Sequence, residues 1–137
     1  MAYTTKAVSR GGRAGRAGLE GGTLALAMSF PKELGGDGEA HNPEQLFAIG
    51  YAACFNQAVI ALSKKHGIDL ETANAAKIGV AVTLASGDDG FSLAAEITLK
   101  VPGVDKSKAQ ALLEDAHQMC PYSKATRGNI PVTLTAL

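Results

Sequence analysis

The sequence has few cysteines and no excess of charge of either sign. It contains only two cysteines, Cys54 and Cys120, at a separation of 120 − 54 = 66 residues, so it has no CxxC redox motif. Two cysteines are too few for a typical structural zinc site, and the three histidines have no metal-ligand spacing with them or with each other. Thirteen basic and thirteen acidic side chains cancel, which argues against nucleic acid or an anionic membrane as a partner.

Targeting signals and cofactor motifs are also missing. No apolar run follows the N-terminal segment Met1–Lys6, and no stretch approaches the roughly 20 apolar residues of a membrane-spanning helix. The glycine-rich stretch Gly11–Gly18 lacks the GxGxxG pattern between a strand and a helix, which argues against dinucleotide binding. We therefore expect a cytoplasmic protein whose single domain covers residues 1–137. In that reducing compartment, a cysteine pair that bonds is more often transient and catalytic than structural.

Apolar residues that alternate at period two predict the strands. The glycine-rich stretch and the later segment 31–41 are interpreted as loops, with a turn at Gly21-Gly22 between them. The strands follow no βαβ repeat, so we predict an α+β domain. The two strands that begin at Ile78 and Phe91 should form an antiparallel hairpin. The predicted strands are Thr23–Phe30, Ile78–Leu84, Phe91–Val101 and Pro131–Leu137, after a weaker alternation over Tyr3–Ser9.

The first predicted helix has the strongest start signal in the chain. Asn42 is placed as the N-cap, with Pro43 at the first helical position and Gln45 at the third. The helix should run to about His66, and because its centre is apolar nearly all round we expect it to be buried on several sides.

The second predicted helix begins after Asp105 as its N-cap. It should end where Pro121 follows, with a short turn over Ser123–Arg127. One stripe of this helix is apolar and should face the core: Ala109, Leu112, Leu113, Ala116 and Met119 or Cys120.

Both cysteines allow a structural and a chemical interpretation. Cys54 lies inside the first helix, and a cysteine in an apolar helix is by itself most often a small core residue. Cys120 lies at the end of the second helix, where a sulfur can be exposed to a partner thiol. A redox pair would require the fold to bring the two Cα atoms within about 4.4–6.8 Å in the disulfide state.

A thiolate at Cys54 would need a positive charge from elsewhere in the fold. The residue lies about three turns inside its helix, where the helix dipole offers little. Arg13 and Arg16 in the glycine-rich stretch and Arg127 after Cys120 are the candidates; the alternative is that they are ordinary exposed arginines. Glu44, in the first turn of the helix, likewise has the alternative role of offsetting the helix dipole.

Three segments resemble the family of organic hydroperoxide resistance proteins, within the wider group of OsmC-like proteins. NPEQLFAIGYAACF resembles the family's peroxidatic segment, CPYSKATRGN its resolving segment and GGRAGR its arginine loop, in the same order and at the usual spacings. GYAACF and the Pro-Tyr-Ser form favour the organic hydroperoxide branch over the osmotically inducible branch. The resemblance implies an OsmC-like α+β fold, with antiparallel β-sheets packed around a buried central helix and a second helix, in an intertwined homodimer.

The resemblance also implies a role for each matching residue. Cys54 corresponds to the peroxidatic cysteine, which attacks the O–O bond of an organic hydroperoxide and becomes a sulfenic acid. Cys120 corresponds to the resolving cysteine, which closes a disulfide that dihydrolipoamide or a lipoylated protein reduces from outside. Arg13 would lower the pKa of the thiolate and orient the peroxide, and Glu44 would hold Arg13. No metal or bound cofactor is implied.

Apolar residues near the two cysteines predict a pocket for alkyl or fatty-acid hydroperoxides rather than hydrogen peroxide. The alternative is simple core packing, and the rival function is a non-catalytic protein that binds a fatty acid or similar ligand. Two positions depart from the family pattern: Ala14 stands where aspartate is frequent, and Ile49 where alanine is frequent. The predicted pocket residues are Phe47, Ile49, Tyr51, Phe55 and Met119.

The spacing of Glu44 and Cys54 bears on assembly. Ten residues of continuous helix separate two positions by about 15 Å at 1.5 Å per residue, so one glutamate cannot easily serve its own Cys54. Either the helix breaks near Gly50, or Glu44 comes from the other subunit of a dimer. We favour the dimer, as the resemblance also implies.

Overall fold

The computed structural model describes all 137 residues and divides them into two compact units, Met1–Leu46 and Phe47–Leu137. Whether these units make up the single domain expected from the sequence stays a prediction. Both α-helices and β-strands are present, as expected for an α+β protein. In chain order they are β1 (Ala7–Arg10), β2 (Arg16–Leu19), β3 (Ala25–Ala27), α1 (Pro43–Leu62), α2 (Leu70–Asn74), β4 (Lys77–Gly87), β5 (Gly90–Lys100), α3 (Lys106–Met119), α4 (Pro121–Thr126) and β6 (Val132–Ala136).

The first unit contains an antiparallel sheet with the strand order β1-β2-β3. Its middle strand lies in the stretch that the sequence predicted as a loop, so that prediction is wrong. Gly18 explains the difference, because a Cβ on this residue would lie 2.5 Å from the carbonyl oxygen of Leu24 on the neighbouring chain segment. The glycine here allows close strand pairing. The next predicted strand is also shorter than expected, and only Ala25–Ala27 is extended.

The second unit contains the three-stranded sheet β4-β5-β6. Strands β4 and β5 form the predicted antiparallel hairpin, and β6 adds parallel to β5. The core of this unit lies between the sheet and the helices, with Ile97, Leu99, Leu112 and Leu113 fully buried. A helix that the sequence did not predict, α2, begins after Asp69, whose carboxylate accepts a hydrogen bond from the backbone N–H of Thr72 at 2.8 Å.

Helix α1 begins as predicted. The Asn42 side chain accepts a hydrogen bond from the backbone N–H of Gln45 at 2.9 Å, and the Gln45 side chain accepts one from the backbone N–H of Asn42 at 3.1 Å. This reciprocal pair is a capping box, which satisfies two N–H groups at the helix start. The helix continues without interruption to Leu62 and then tightens into a 3-10 turn over Ser63–His66.

One side of helix α1 is covered and the other is open. Tyr51, Phe55, Ala58 and Val59 are buried, whereas a stripe at four-residue spacing is exposed: Ile49, Ala53, Gln57 and Ala61. The expected burial on several sides is therefore wrong for the single chain. Together with its 3-10 turn the helix is also long and apolar enough to cross a membrane by length and composition, contrary to the sequence expectation, although core helices of soluble proteins meet the same criterion.

Helix α3 starts at the predicted cap, with the Asp105 carboxylate accepting from the backbone N–H of Lys108 at 2.9 Å. The predicted apolar stripe faces the core, and Cys120 rather than Met119 completes it. The turn predicted after Pro121 is instead helix α4. Cys120 is both the C-cap of α3 and the N-cap of α4. Pro121, which stops α3, is well suited to the first position of the next helix.

Candidate active site

The two cysteines meet in the second unit. The Sγ atoms of Cys54 and Cys120 lie 3.7 Å apart, and both residues are free thiols. Helix α1 supplies Cys54 from its middle, and the joint between α3 and α4 supplies Cys120. Cys120 has no exposed surface, whereas Cys54 is partly exposed. A disulfide bond measures about 2.05 Å, so the sulfurs need to approach by roughly 1.7 Å to bond.

The surroundings of Cys54 keep its thiol protonated in the single chain. Burial raises the pKa of the Cys54 thiol, and the neighbouring Cys120 adds to this effect, while a hydrogen bond from the backbone N–H of Tyr122 acts in the opposite direction. A nucleophilic thiolate therefore requires an added positive charge, as the sequence indicated.

Arg13 and Glu44 meet in the first unit. The two guanidinium nitrogens Nη1 and Nη2 of Arg13 donate to the two carboxylate oxygens of Glu44 at 2.8 and 2.6 Å. The hydrogen bonds from Arg13 lower the pKa of Glu44, and the same bonds raise the pKa of Arg13. The charged fork is thus held in one orientation.

The backbone around Arg13 accounts for the glycines beside it. Arg13 lies in a 3-10 turn over Gly12–Ala14, entered through Gly11 in the left-handed region at φ 77°. At Gly15, a Cβ would lie only 1.9 Å from the carbonyl oxygen of Arg10, so no larger residue fits this backbone. Arg16 is exposed, and Arg127 donates to the carbonyl oxygen of His117 at 2.7 Å.

Glu44 and Cys54 lie on one unbroken helix. Because α1 shows no break at Gly50, the first of the two explanations for their spacing is wrong. The second explanation, that Glu44 serves the other subunit of a dimer, stays a prediction.

The predicted pocket residues have very different exposure. Tyr51 and Phe55 are fully buried in the core of the second unit, Phe47 packs against that core, and Ile49 and Met119 expose 65% and 46% of their surface. Rings of Phe47, Tyr51 and Tyr122 contact one another with centroids 5.7 to 6.3 Å apart. Contact of these side chains with a substrate stays a prediction.

Sequence reasoning missed a set of hydroxyl groups close to the cysteines. The Tyr51 hydroxyl lies 2.8 Å from Ser123 Oγ and 3.0 Å from Thr126 Oγ1, and His117 Nδ1 lies 2.8 Å from Ser123 Oγ. Burial, and then the charge of Arg127, lower the pKa of His117 and favour its neutral form. The three-residue spacing of Ser123 and Thr126 was the signal available in the sequence, because it places these two residues on one face of α4.

Gly50 seats the side chain of Tyr122 against helix α1. A Cβ on Gly50 would lie 2.9 Å from Tyr122 Oη and 3.3 Å from its Cε2, which is closer than atoms normally pack. The aromatic ring therefore needs glycine at this helical position, even though glycine is about 1 kcal/mol less favourable than alanine within a helix.

Alanine at Gly50 should stabilise the helix and strain its contact with Tyr122 at the same time. We expect Gly50→Ala to raise the free energy of unfolding by less than the difference in helix propensity between alanine and glycine. The double variant Gly50→Ala/Tyr122→Phe should recover about 0.5–1 kcal/mol of that free energy, because it removes the hydroxyl that the new Cβ meets. A double-mutant cycle by urea unfolding of both single variants and the double variant measures this coupling. Strictly additive effects would contradict the packing described here.

Comparisons with known proteins cover nearly the whole chain. Residues 36–135 match the family model for OsmC-like protein. The chain is 46% identical over 134 residues to an organic hydroperoxide resistance protein of Xanthomonas axonopodis pv. citri, covering 97% of this chain and 93% of the relative. Its structure is similar to the crystal structure of an organic hydroperoxide resistance protein from Legionella pneumophila, with a TM-score of 0.88, 41% identity and coverage of 98% and 96% of the two chains. It is also similar to OhrB of Bacillus subtilis, with a TM-score of 0.84, 38% identity and coverage of 98% of each chain.

Proposed function

This chain belongs to the family of OsmC-like proteins, among the organic hydroperoxide resistance proteins, and we propose that it is a cysteine-based peroxidase for organic hydroperoxides. The relatives' names support a role in defence against organic hydroperoxides and so against oxidative stress. The proposal adds the chemical mechanism, the residues that perform it and the reductant.

The close approach of the two thiols carries the proposal. In the first step the Cys54 thiolate attacks the O–O bond of a hydroperoxide ROOH, the alcohol ROH leaves after taking a proton, and Cys54 becomes a sulfenic acid. In the second step the Cys120 sulfur attacks the sulfenic sulfur, water leaves, and a disulfide joins the two residues. The 3.7 Å separation of the sulfurs supports this second step, because the closing atoms already lie near van der Waals contact.

Regeneration of the dithiol requires two electrons from outside the chain. We assign these to a dihydrolipoyl group, on dihydrolipoamide or on a lipoylated protein, which is oxidised to its cyclic disulfide as Cys54 and Cys120 are reduced by thiol–disulfide exchange. The cycle needs no metal and no bound cofactor. A cytoplasmic location fits this proposal, since dithiol reductants are maintained there.

The Arg13–Glu44 pair supplies the charge that Cys54 lacks in this proposal. Burial raises the pKa of Cys54, so a thiolate requires a cation, and the guanidinium of Arg13 also offers N–H donors for the peroxide oxygens. Glu44 holds that guanidinium by the two hydrogen bonds described above. We further propose a homodimer in which Glu44 and Arg13 serve the cysteines of the partner. The uncovered stripe of α1, in which Ile49, Ala53 and Ala61 are apolar, supports such an association.

Consumption of hydroperoxide in the presence of a dithiol tests the proposed function. We expect rapid consumption of tert-butyl and fatty-acid hydroperoxides with dihydrolipoamide, and slower consumption of hydrogen peroxide because the residues predicted to line the pocket are largely apolar. Thioredoxin serves as the comparison reductant and should support less turnover. Absence of turnover with every thiol donor would leave the apolar-ligand binding protein as the better account.

A further inference from the structure

The hydroxyl groups of Tyr51, Ser123 and Thr126 form a chain whose direction can be derived. The Thr126 hydroxyl donates to the carbonyl oxygen of Ser123 at 3.2 Å, since a carbonyl only accepts. A hydroxyl has one hydrogen, so Thr126 must accept the hydrogen of Tyr51 at 3.0 Å. Tyr51 in turn must accept from the hydroxyl of Ser123 at 2.8 Å.

The last member of the chain is His117. With its only hydrogen used on Tyr51, Ser123 Oγ must accept from Nδ1–H of His117 at 2.8 Å. The series His117, Ser123, Tyr51, Thr126 then uses each hydrogen once and leaves no hydroxyl of the set unpaired. Tyr51 and Ser123 have no exposed surface and Thr126 retains 5%, so water cannot replace a missing partner without a rearrangement.

The position of these hydrogen-bonded hydroxyl groups relative to the thiols indicates their role. Tyr51 lies one helical turn before Cys54 on α1, and Ser123 lies one turn after Cys120 on α4. The Tyr51–Ser123 hydrogen bond therefore joins the two helices close to both sulfurs. Aromatic packing in this region is approximate in direction, whereas a buried hydrogen bond fixes a distance within a few tenths of an ångström.

We propose that Tyr51, Ser123, Thr126 and His117 are positioning residues that tie helix α4 to helix α1 and so hold Cys120 in closing distance of Cys54. The inference extends the proposed function by assigning residues to the disulfide-forming step, and it rests on that function for its biological use. In this proposal their hydroxyl and imidazole groups pair with one another and take no part in binding the peroxide, while the ring of Tyr51 stays a predicted pocket residue. They act by raising the effective concentration of one thiol at the other.

The equilibrium between the thiol pair and a reference dithiol tests the proposal without any hydroperoxide. Wild type and Tyr51→Phe are oxidised with diamide and equilibrated with graded ratios of reduced and oxidised dithiothreitol, and the fraction of disulfide is measured by alkylation and mass spectrometry. We expect the effective concentration of the pair to fall about tenfold in Tyr51→Phe, because the lost hydroxyl leaves two buried partners unpaired. Ser123→Ala should give a fall of the same order and serves if Tyr51→Phe does not fold.

A variant with a similar loss of stability away from the thiols separates positioning from general destabilisation. Ile97→Val in strand β5 removes one buried methyl group and should leave the effective concentration unchanged. The proposal is overturned if Tyr51→Phe and Ser123→Ala match wild type, or if Ile97→Val lowers the value equally. This assay measures only the thiol–disulfide equilibrium. Absence of peroxidase activity would therefore refute the proposed function, while the equilibrium measurement would still decide whether the four residues position Cys120.

In single turnovers with hydroperoxide, Ser123→Ala should form the sulfenic acid at the wild-type rate and close the disulfide about tenfold more slowly. Trapping of the sulfenic acid with dimedone, timed against the loss of free thiol, distinguishes the two steps. Equal slowing of both steps would contradict a role confined to positioning Cys120.

Discussion

Replacement of Cys54 by serine is expected to reduce hydroperoxide turnover to the uncatalysed rate. A serine hydroxyl is far less nucleophilic toward an O–O bond than a thiolate, and it cannot form the sulfenic acid on which the second step depends. Serine is close to cysteine in size, so the variant should keep the fold and the neighbouring Cys120. The measurement is consumption of tert-butyl hydroperoxide with dihydrolipoamide, beside circular dichroism to verify the fold.

Cys120→Ser is the matched control for this prediction. It should consume close to one equivalent of hydroperoxide per chain at the wild-type rate and then slow sharply, because a sulfenic acid at Cys54 has no thiol within reach to close the disulfide. Retained turnover in Cys54→Ser would contradict the assigned nucleophile. Retained binding of a fatty acid by Cys54→Ser, in a protein whose wild type has no turnover, would support the apolar-ligand binding protein.

The second large effect is expected from the Arg13–Glu44 pair. Arg13→Lys keeps a positive charge but loses the two-pronged geometry that the Glu44 carboxylate holds at 2.8 and 2.6 Å, so we expect a fall of about 10²-fold in kcat/KM. Glu44→Gln keeps the size and removes the charge, and should cost about tenfold. Stopped-flow oxidation of Cys54 measures both effects. Arg16→Lys is the matched control, because Arg16 is an exposed arginine in the same glycine-rich stretch.

The pH dependence of this pair has a defined sign. Hydrogen bonds from Arg13 lower the pKa of Glu44 below its ordinary value, so Glu44 stays ionised as the pH falls through the range in which an ordinary glutamate takes up a proton. The stability that the pair contributes is therefore fully present above the pKa of Glu44 in the unfolded chain, and it is lost as the pH falls through the lower pKa of the folded chain. Glu44→Gln should lack this acid transition.

Mixed dimers test whether Glu44 serves the partner subunit. Glu44→Gln and Cys54→Ser chains are each impaired alone, but in a mixed dimer the intact Cys54 of one chain meets the intact Glu44 of the other only if the pair acts between subunits. We expect the mixture, after dissociation and reassociation, to regain activity above the sum of the separate variants. No gain in a verified mixed dimer, or full activity of a monomer, would contradict this arrangement.

Local signals in the sequence predicted the parts of the fold that depend on neighbours in the chain. The capping box of Asn42 and Gln45 forms as expected, because both partners lie within one turn. Strand β2 could not be predicted, since Gly18 and the glycines before it look like a loop until the close approach of Leu24 to Gly18 is known. Pro121 was interpreted only as the end of a helix, although it also begins the next one.

The candidate site divides in the same way. Both cysteines could be singled out from the sequence, and their pairing with each other, like that of Arg13 with Glu44, followed from the family resemblance rather than from local spacing. The hydroxyl chain was missed because Tyr51 lies 72 residues from Ser123 and 75 from Thr126. Periodicity shows which residues share a helical face, but it does not show which face of another helix they meet.

The unequal exposure of the two cysteine residues limits which thiol small reagents can modify. Cys120 has no exposed surface and Cys54 retains some, so a soluble oxidant or alkylating compound reaches Cys54 first. Cys120 is thereby shielded from forming mixed disulfides with small cellular thiols and from irreversible over-oxidation to a sulfonic acid. In the proposed cycle, Cys120 is thus left available for one reaction partner, the oxidised sulfur of Cys54.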